Sequence, residues 1–115
     1  MEKPKDGIWI IDSDARTVFA NERMTGILGA TVSEMLGQPS FAYVFPEDVP
    51  AAQALFEAKG RGNANPFRFT LRRKDGAAIW VDVQANPMHN AEGTFQGIVG
   101  TFTVSESDFV RRAKL

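Results

Sequence analysis

The sequence predicts an α+β domain, one five-stranded antiparallel sheet with several short helices packed on one of its faces. Three observations carry that expectation. Two short apolar runs, GIWIID (residues 7–12) and RTVFAN (residues 16–21), flank the turn chemistry of Asp12-Ser13-Asp14 and are close enough to pair as a hairpin. Helix start and stop signals then crowd residues 21–62. Beyond them, apolar and polar side chains alternate with the period of two that a half-buried strand requires. Two strands, a run of helices and three more strands make an α+β fold with its helices on one side.

Each element has its own local reason. Residues 1–6 are charged and contain Pro4, which suits a lead-in. Asn21 can cap a helix over 22–28, because its side chain accepts from a free amide of the first turn. That helix turns Met24, Ile27 and Leu28 inward and ends at Gly29. Thr31-Val32-Ser33-Glu34 has capping-box spacing, and the helix it starts lasts little more than a turn before Gly37 and Pro39. SFAYVF (residues 40–45) makes another turn, and Pro46-Glu47-Asp48 breaks the chain before a longer helix to about Lys59. Val49, Ala52, Leu55 and Phe56 share one face of that helix, and Gly60 and Gly62 stop it.

The C-terminal half is β. Phe67, Phe69 and Leu71 alternate with Arg68, Thr70 and Arg72, and Asp75-Gly76 supplies a turn that tolerates positive φ. Ile79, Val81, Val83 and Ala85 then alternate with Trp80, Asp82, Gln84 and Asn86. NPMHNAEG (residues 86–93) reads as a loop and residues 95–104 as the last strand. Residues 105–115 are polar but include Phe109, Val110, Ala113 and Leu115, the start of an exiting helix able to begin a coiled coil with a second copy.

Composition narrows the function. The chain has 115 residues, 43% of them hydrophobic, which suits a single core. Its net charge is −1, so nothing points to a polyanion or nucleic-acid partner, although residues 1–57 carry 4 basic and 9 acidic groups and residues 58–115 carry 9 and 5. The absence of cysteine removes disulfides, thiolate metal sites, cysteine nucleophiles and covalent cysteine adducts. No apolar run is long enough to span a bilayer, and Met1-Glu2-Lys3-Pro4 does not open a signal peptide, so the expected location is the cytoplasm.

Four stretches, taken in order, resemble the PAS domain family across about residues 6–105. They are DGIWIIDSDARTVFAN, ERMTGILGATVSEMLGQP, FPEDVPAAQALFEA and FRFTLRRKDGAAIWVDVQANPMHNAEGTFQGIVGTFT. No single stretch is specific; the order of all four is. The resemblance implies a PAS domain over residues 7–104, with 1–6 as lead-in and 105–115 as the start of the output helix. It further implies a sensory or interaction module of a longer signalling protein, such as a histidine kinase of a two-component system, acting as a homodimer with a fused output domain. Some members of the family bind haem, flavin or small metabolites, and many have no known ligand. Where the family carries an Asp-Ile-Thr triad at the strand-to-helix exit, this chain has Val104, Ser105 and Glu106, so these are its candidate output positions and the aspartate is missing. The light-sensing branch needs a cysteine for its flavin adduct, which this chain lacks, and the slot of that branch's flavin-contacting glutamine is Phe102.

Candidate sites are few. Haem is disfavoured because His89, the only histidine, falls in the loop reading rather than on the longer helix that supplies the family's axial ligand. Zinc would need several Cys or His ligands. Asp12, Ser13 and Asp14 are explained by their turn, and Glu47 and Asp48 by the helix N-terminus that follows. Arg72, Arg73 and Lys74 read as a solvated hairpin end. Tyr43, Phe45, Phe56, Phe67, Phe69 and Phe102 should converge between helices and sheet. Nine phenylalanines can fill such a core, so a filled or nearly filled interior is expected. Any pocket there would take a small apolar or aromatic ligand, with Asn21, Tyr43, Arg68 or Gln84 as polar handles. The cofactor is open, and no catalytic residue is assigned. An isomerase-like enzyme using Tyr43 and Asp82 is the alternative of another class; a ligand-free dimerisation or docking domain is the nearer one.

Overall fold

The computed structural model describes residues 6–63 and 65–105. Five strands, Gly7–Asp12 (β1), Thr17–Ala20 (β2), Phe67–Arg72 (β3), Ala78–His89 (β4) and Phe95–Val104 (β5), form one antiparallel sheet in the order β2-β1-β5-β4-β3. Between β2 and β3 lie the helices Glu22–Leu28 (α1), Val32–Met35 (α2) and Val49–Gly60 (α3), with 3-10 turns at Ser40–Tyr43 and Pro46–Asp48. Those segments pack on one face of the sheet, as the sequence predicts.

Side-chain parity decides which face is covered. Trp9 faces Gly100 across β1 and β5, and Val83 faces both Phe67 and Phe102, so these residues point toward the helices. Met24 and Leu28 of α1 and Met35 of α2 are fully buried beneath them. Burying a side chain of that size stabilises the fold by about 1.5–3 kcal/mol. Among the described residues, no helix is long and apolar enough to cross a membrane.

The caps are formed as read. The Asn21 Oδ1 accepts from the Met24 N–H at 2.9 Å and from the Ile8 N–H at 2.9 Å, so one side chain both starts α1 and fastens it to β1. Gly29 closes α1 at φ 68°, a conformation costly for a residue with a Cβ. Thr31 and Glu34 form the reciprocal capping box of α2. At the start of α3, Asp48 occupies the cap position without a side-chain capping bond.

Two expectations are corrected. Residues 86–89 are not a loop but the end of β4, paired with β5 as far as His89 opposite Phe95. A proline fits there because β3 pairs with β4 only as far as Val83. The Trp80 carbonyl accepts from the Ser105 N–H at 2.9 Å, so even-numbered β4 residues turn their backbone toward β5. The Pro87 nitrogen therefore faces an edge with no strand beside it, and its missing N–H costs nothing. His89 accordingly lies at a strand end, exposed, its ring 6.0 Å from that of Phe95.

The basic hairpin end is likewise not a free solvated edge. The Arg72 Nη2 donates to the Ala42 carbonyl at 3.0 Å, the Lys74 N–H donates to the Leu28 carbonyl at 2.9 Å, and the Lys74 ammonium pairs with Glu34. The run straps the β3–β4 turn to the helical layer. Lys74 first, then the Thr31 N–H, pulls the Glu34 carboxyl down from 4.5 to about 2. A carboxyl depressed in the folded chain stabilises it fully above pH 4.5, and that contribution is lost as the pH falls toward 2. In Lys74→Met the Glu34 titration, followed by carboxyl NMR, should move back toward 4.5 and acid unfolding should become less steep in that window. An unchanged titration would remove the strap from the account.

Candidate functional site

A cavity of about 110 Å³ lies between α3 and the sheet. Phe67, Phe69 and Leu71 of β3, with Val83 and Ala85 of β4, form part of its floor, and Ile98, Gly100 and Phe102 of β5 extend it. Phe56 and Lys59 of α3 close the opposite side. The space follows from small residues meeting in one place: Ala85 and Gly100 are direct partners across β4 and β5. The Phe102 ring partly covers Gly100, since a Cβ added there would come within 2.8 Å of the Phe102 Cε1. The expectation of a filled interior is therefore corrected: nine phenylalanines are present, but this register leaves room between them.

Four of the aromatic residues read from the sequence, Phe56, Phe67, Phe69 and Phe102, line this cavity. Tyr43 and Phe45 do not. Tyr43 is buried beside it, edge-on to Trp9 with ring centroids 6.0 Å apart, while Phe45 is half-buried. Burial, and secondarily the charge of Glu34, pushes the Tyr43 phenol above its ordinary pKa.

The expected polar handles are elsewhere. Arg68 lies on the outer face of the sheet, its Nε 2.9 Å from the Asp82 Oδ1, because its register partner is Asp82 and both take outward parity. Gln84 is exposed on that same outer face opposite Thr101. Asn21 is committed to its cap. Tyr43 and Asp82 thus sit on opposite sides of the sheet and cannot act as an acid–base pair on one substrate. Among the described residues, no group of three or more His, Asp or Glu side chains is placed to hold a metal ion.

Lys59 and Trp9 are the two lining residues with polar hydrogen-bonding groups on large side chains that sequence reading missed, beside smaller and aliphatic ones such as Ile11, Ala85 and Gly100. Lys59 is only 3% exposed. Its ammonium donates to the Asn65 carbonyl at 2.5 Å and lies 5.2 Å from the centre of the Phe67 ring. Its signal was present in the spacing, since it follows Leu55 and Phe56 by four and three positions on the apolar stripe of α3. Trp9 donates its indole N–H to the Thr17 hydroxyl at 2.8 Å, and its ring is 5.5 Å from that of Phe102.

At the exit from the sheet, Val104 is half-buried opposite Val81. Ser105 is 1% exposed, with no partner for its hydroxyl among the described residues. Glu106 lies outside the described residues, as does the predicted exit helix. A carboxylate does reach the end of β5, but from the other end of the chain: the Thr103 hydroxyl donates to the Asp6 Oδ1 at 2.8 Å.

An antiparallel five-stranded sheet with its helices on one face and an apolar cavity beneath the longest of them defines the class, an α+β domain with an interior site between sheet and helix. A family profile described as the PAS fold matches residues 1–104, and the chain belongs to that family. It is similar to the aryl hydrocarbon receptor nuclear translocator homolog of Drosophila melanogaster, 28% identical over 74 residues that make up 63% of this chain and 12% of that protein. Among solved structures, a PAS domain from Colwellia psychrerythraea superposes with a TM-score of 0.79 at 17% identity, over 89% of this chain and 87% of that one. A light-oxygen-voltage domain studied with a flavin analogue superposes at 0.77 with 22% identity, over 94% of this chain and 83% of that one. At these identities the likeness concerns the fold. A covalent flavin–cysteine adduct is ruled out here by the sequence, which has no cysteine.

Proposed function

We propose that this chain is a sensory module that admits a small, largely apolar ligand between α3 and the sheet and passes the change along β5. The observation that supports this reading is that β5 is itself a wall of the cavity, through Ile98, Gly100 and Phe102, and ends at the exit residues Val104 and Ser105. A ligand would press on Phe102, whose ring lies over Gly100 and against Trp9, and so bias the end of β5 between two arrangements. In this reading the module performs no chemistry, works as a homodimer, and serves a fused output domain such as a histidine kinase. Residues 105–115 would carry the change onward.

Native mass spectrometry with an absorbance scan, followed by thermal unfolding against small aromatic compounds, tests it. Ligand at 100 times its Kd stabilises by about 2.7 kcal/mol, which for a chain of this size raises the midpoint by about 10 °C. A bare protein that no apolar compound stabilises would refute ligand sensing. A second reading, a ligand-free dimerisation or docking domain, is favoured by Val18 and Phe19 on edge strand β2, which are 51% and 45% exposed. A concentration-independent dimer with no ligand response would support it.

A further inference from the structure

Among the described residues that line the cavity, only Lys59 carries a charge. Lysine is almost never buried without a partner, because removing an ammonium from water is costly unless an anion or several acceptors replace the water. At 3% exposure, Lys59 has one carbonyl acceptor, Asn65, for its three N–H donors, and the face of Phe67 for part of its charge. No carboxylate among the described residues pairs with it. The remaining donors are short of acceptors beside a space large enough to hold one.

We propose that the cavity takes a small apolar monocarboxylate, an aromatic or short aliphatic acid, with its carboxylate against the Lys59 ammonium and its body among Phe56, Phe67 and Phe69. The inference rests on the cavity being the ligand site. The carboxylate supplies the charge and acceptors that the protein withholds, while the aromatic walls receive the rest of the molecule. A neutral ligand leaves the ammonium short of acceptors, and a cationic one is repelled. Size agrees: a cavity of about 150 Å³ holds a benzene ring, and this one is about 110 Å³, enough for one ring or a short chain after modest adjustment. Lys59 also stands in the last turn of α3, where the helix dipole favours a cation. Burial alone lowers the Lys59 pKa, and both the dipole and a bound carboxylate act against that.

The test is calorimetric titration of the whole chain with benzoate, phenylacetate and hexanoate, each against its amide, in the native protein and in Lys59→Met. Methionine keeps the length and apolar contacts of the stem and removes a buried charge, so the variant should fold. At least one acid should bind about tenfold or more tightly than its amide, and the preference should vanish in the variant. Equal binding of acids and amides would overturn the assignment to Lys59 while leaving the cavity as a ligand site. A preference for acids that survives in Lys59→Met would overturn it too. If no acid or amide binds, the cavity reading itself falls.

Discussion

Gly97→Ala should cost this fold about 4 kcal/mol or more, a large part of the stability of a small domain. Two effects add at that position. Gly97 has φ 145°, a backbone conformation that residues with a Cβ rarely adopt, and forcing one into it costs about 1–3 kcal/mol. The added methyl would also stand 2.0 Å from the Ile11 carbonyl oxygen and 2.9 Å from the Asp12 Cα. Those are backbone atoms of the strand paired with β5, so no side chain can swing aside; β1 and β5 must separate locally. Gly76→Ala is the control, with φ 93° but nothing within 4 Å of its added Cβ. It should lose only about 1–2 kcal/mol. Urea unfolding at matched m-values measures both, and equal losses would show that the approach of β1 to Gly97 is not what matters.

Ala85→Leu should do the reverse to stability and abolish binding. Ala85 is 5% exposed, faces Gly100 across the β4–β5 pair and borders the cavity. A larger side chain in a well-packed core costs about 1–3 kcal/mol. Here it enters empty space, where filling stabilises by about 0.5–2 kcal/mol, so the sign should be favourable. The same atoms then occupy the room that an apolar ligand would use. A titration against benzoate, phenylacetate, hexanoate and their amides should turn flat, while urea unfolding moves to a higher midpoint. If the leucine destabilises and binding persists, the ligand is held somewhere else on the molecule.

Much of the molecule was legible because its causes are local. Asn21, Thr31 and Glu34 cap their helices through groups a few residues away, so their roles can be read from spacing. Strand parity told which side chains turn inward, and it holds along β3 and β4. Arg68 and Gln84 have the polarity of pocket handles but the parity of outward-facing residues. The fold kept the parity and paired Arg68 with Asp82 instead. Lys59 is the converse case: its place on the apolar stripe of α3 argues for burial and its charge argues for solvent, and packing against the sheet decides for burial.

What could not be read belongs to distances between segments far apart in the chain. Pro87 is a strand residue only because β3 stops short of it, and Arg72 and Lys74 are straps only because Ala42, Leu28 and Glu34 come to rest beside the β3–β4 turn. The cavity is the clearest case. Alternation set the inward faces of β3 and β4 and cap chemistry set where α1 and α2 begin, since each depends on neighbours within a turn or a pleat. Whether those faces met without a gap depended on Ala85 and Gly100 arriving opposite each other beneath Phe56 and Lys59. A void is a property of that meeting, and no run of residues encodes it.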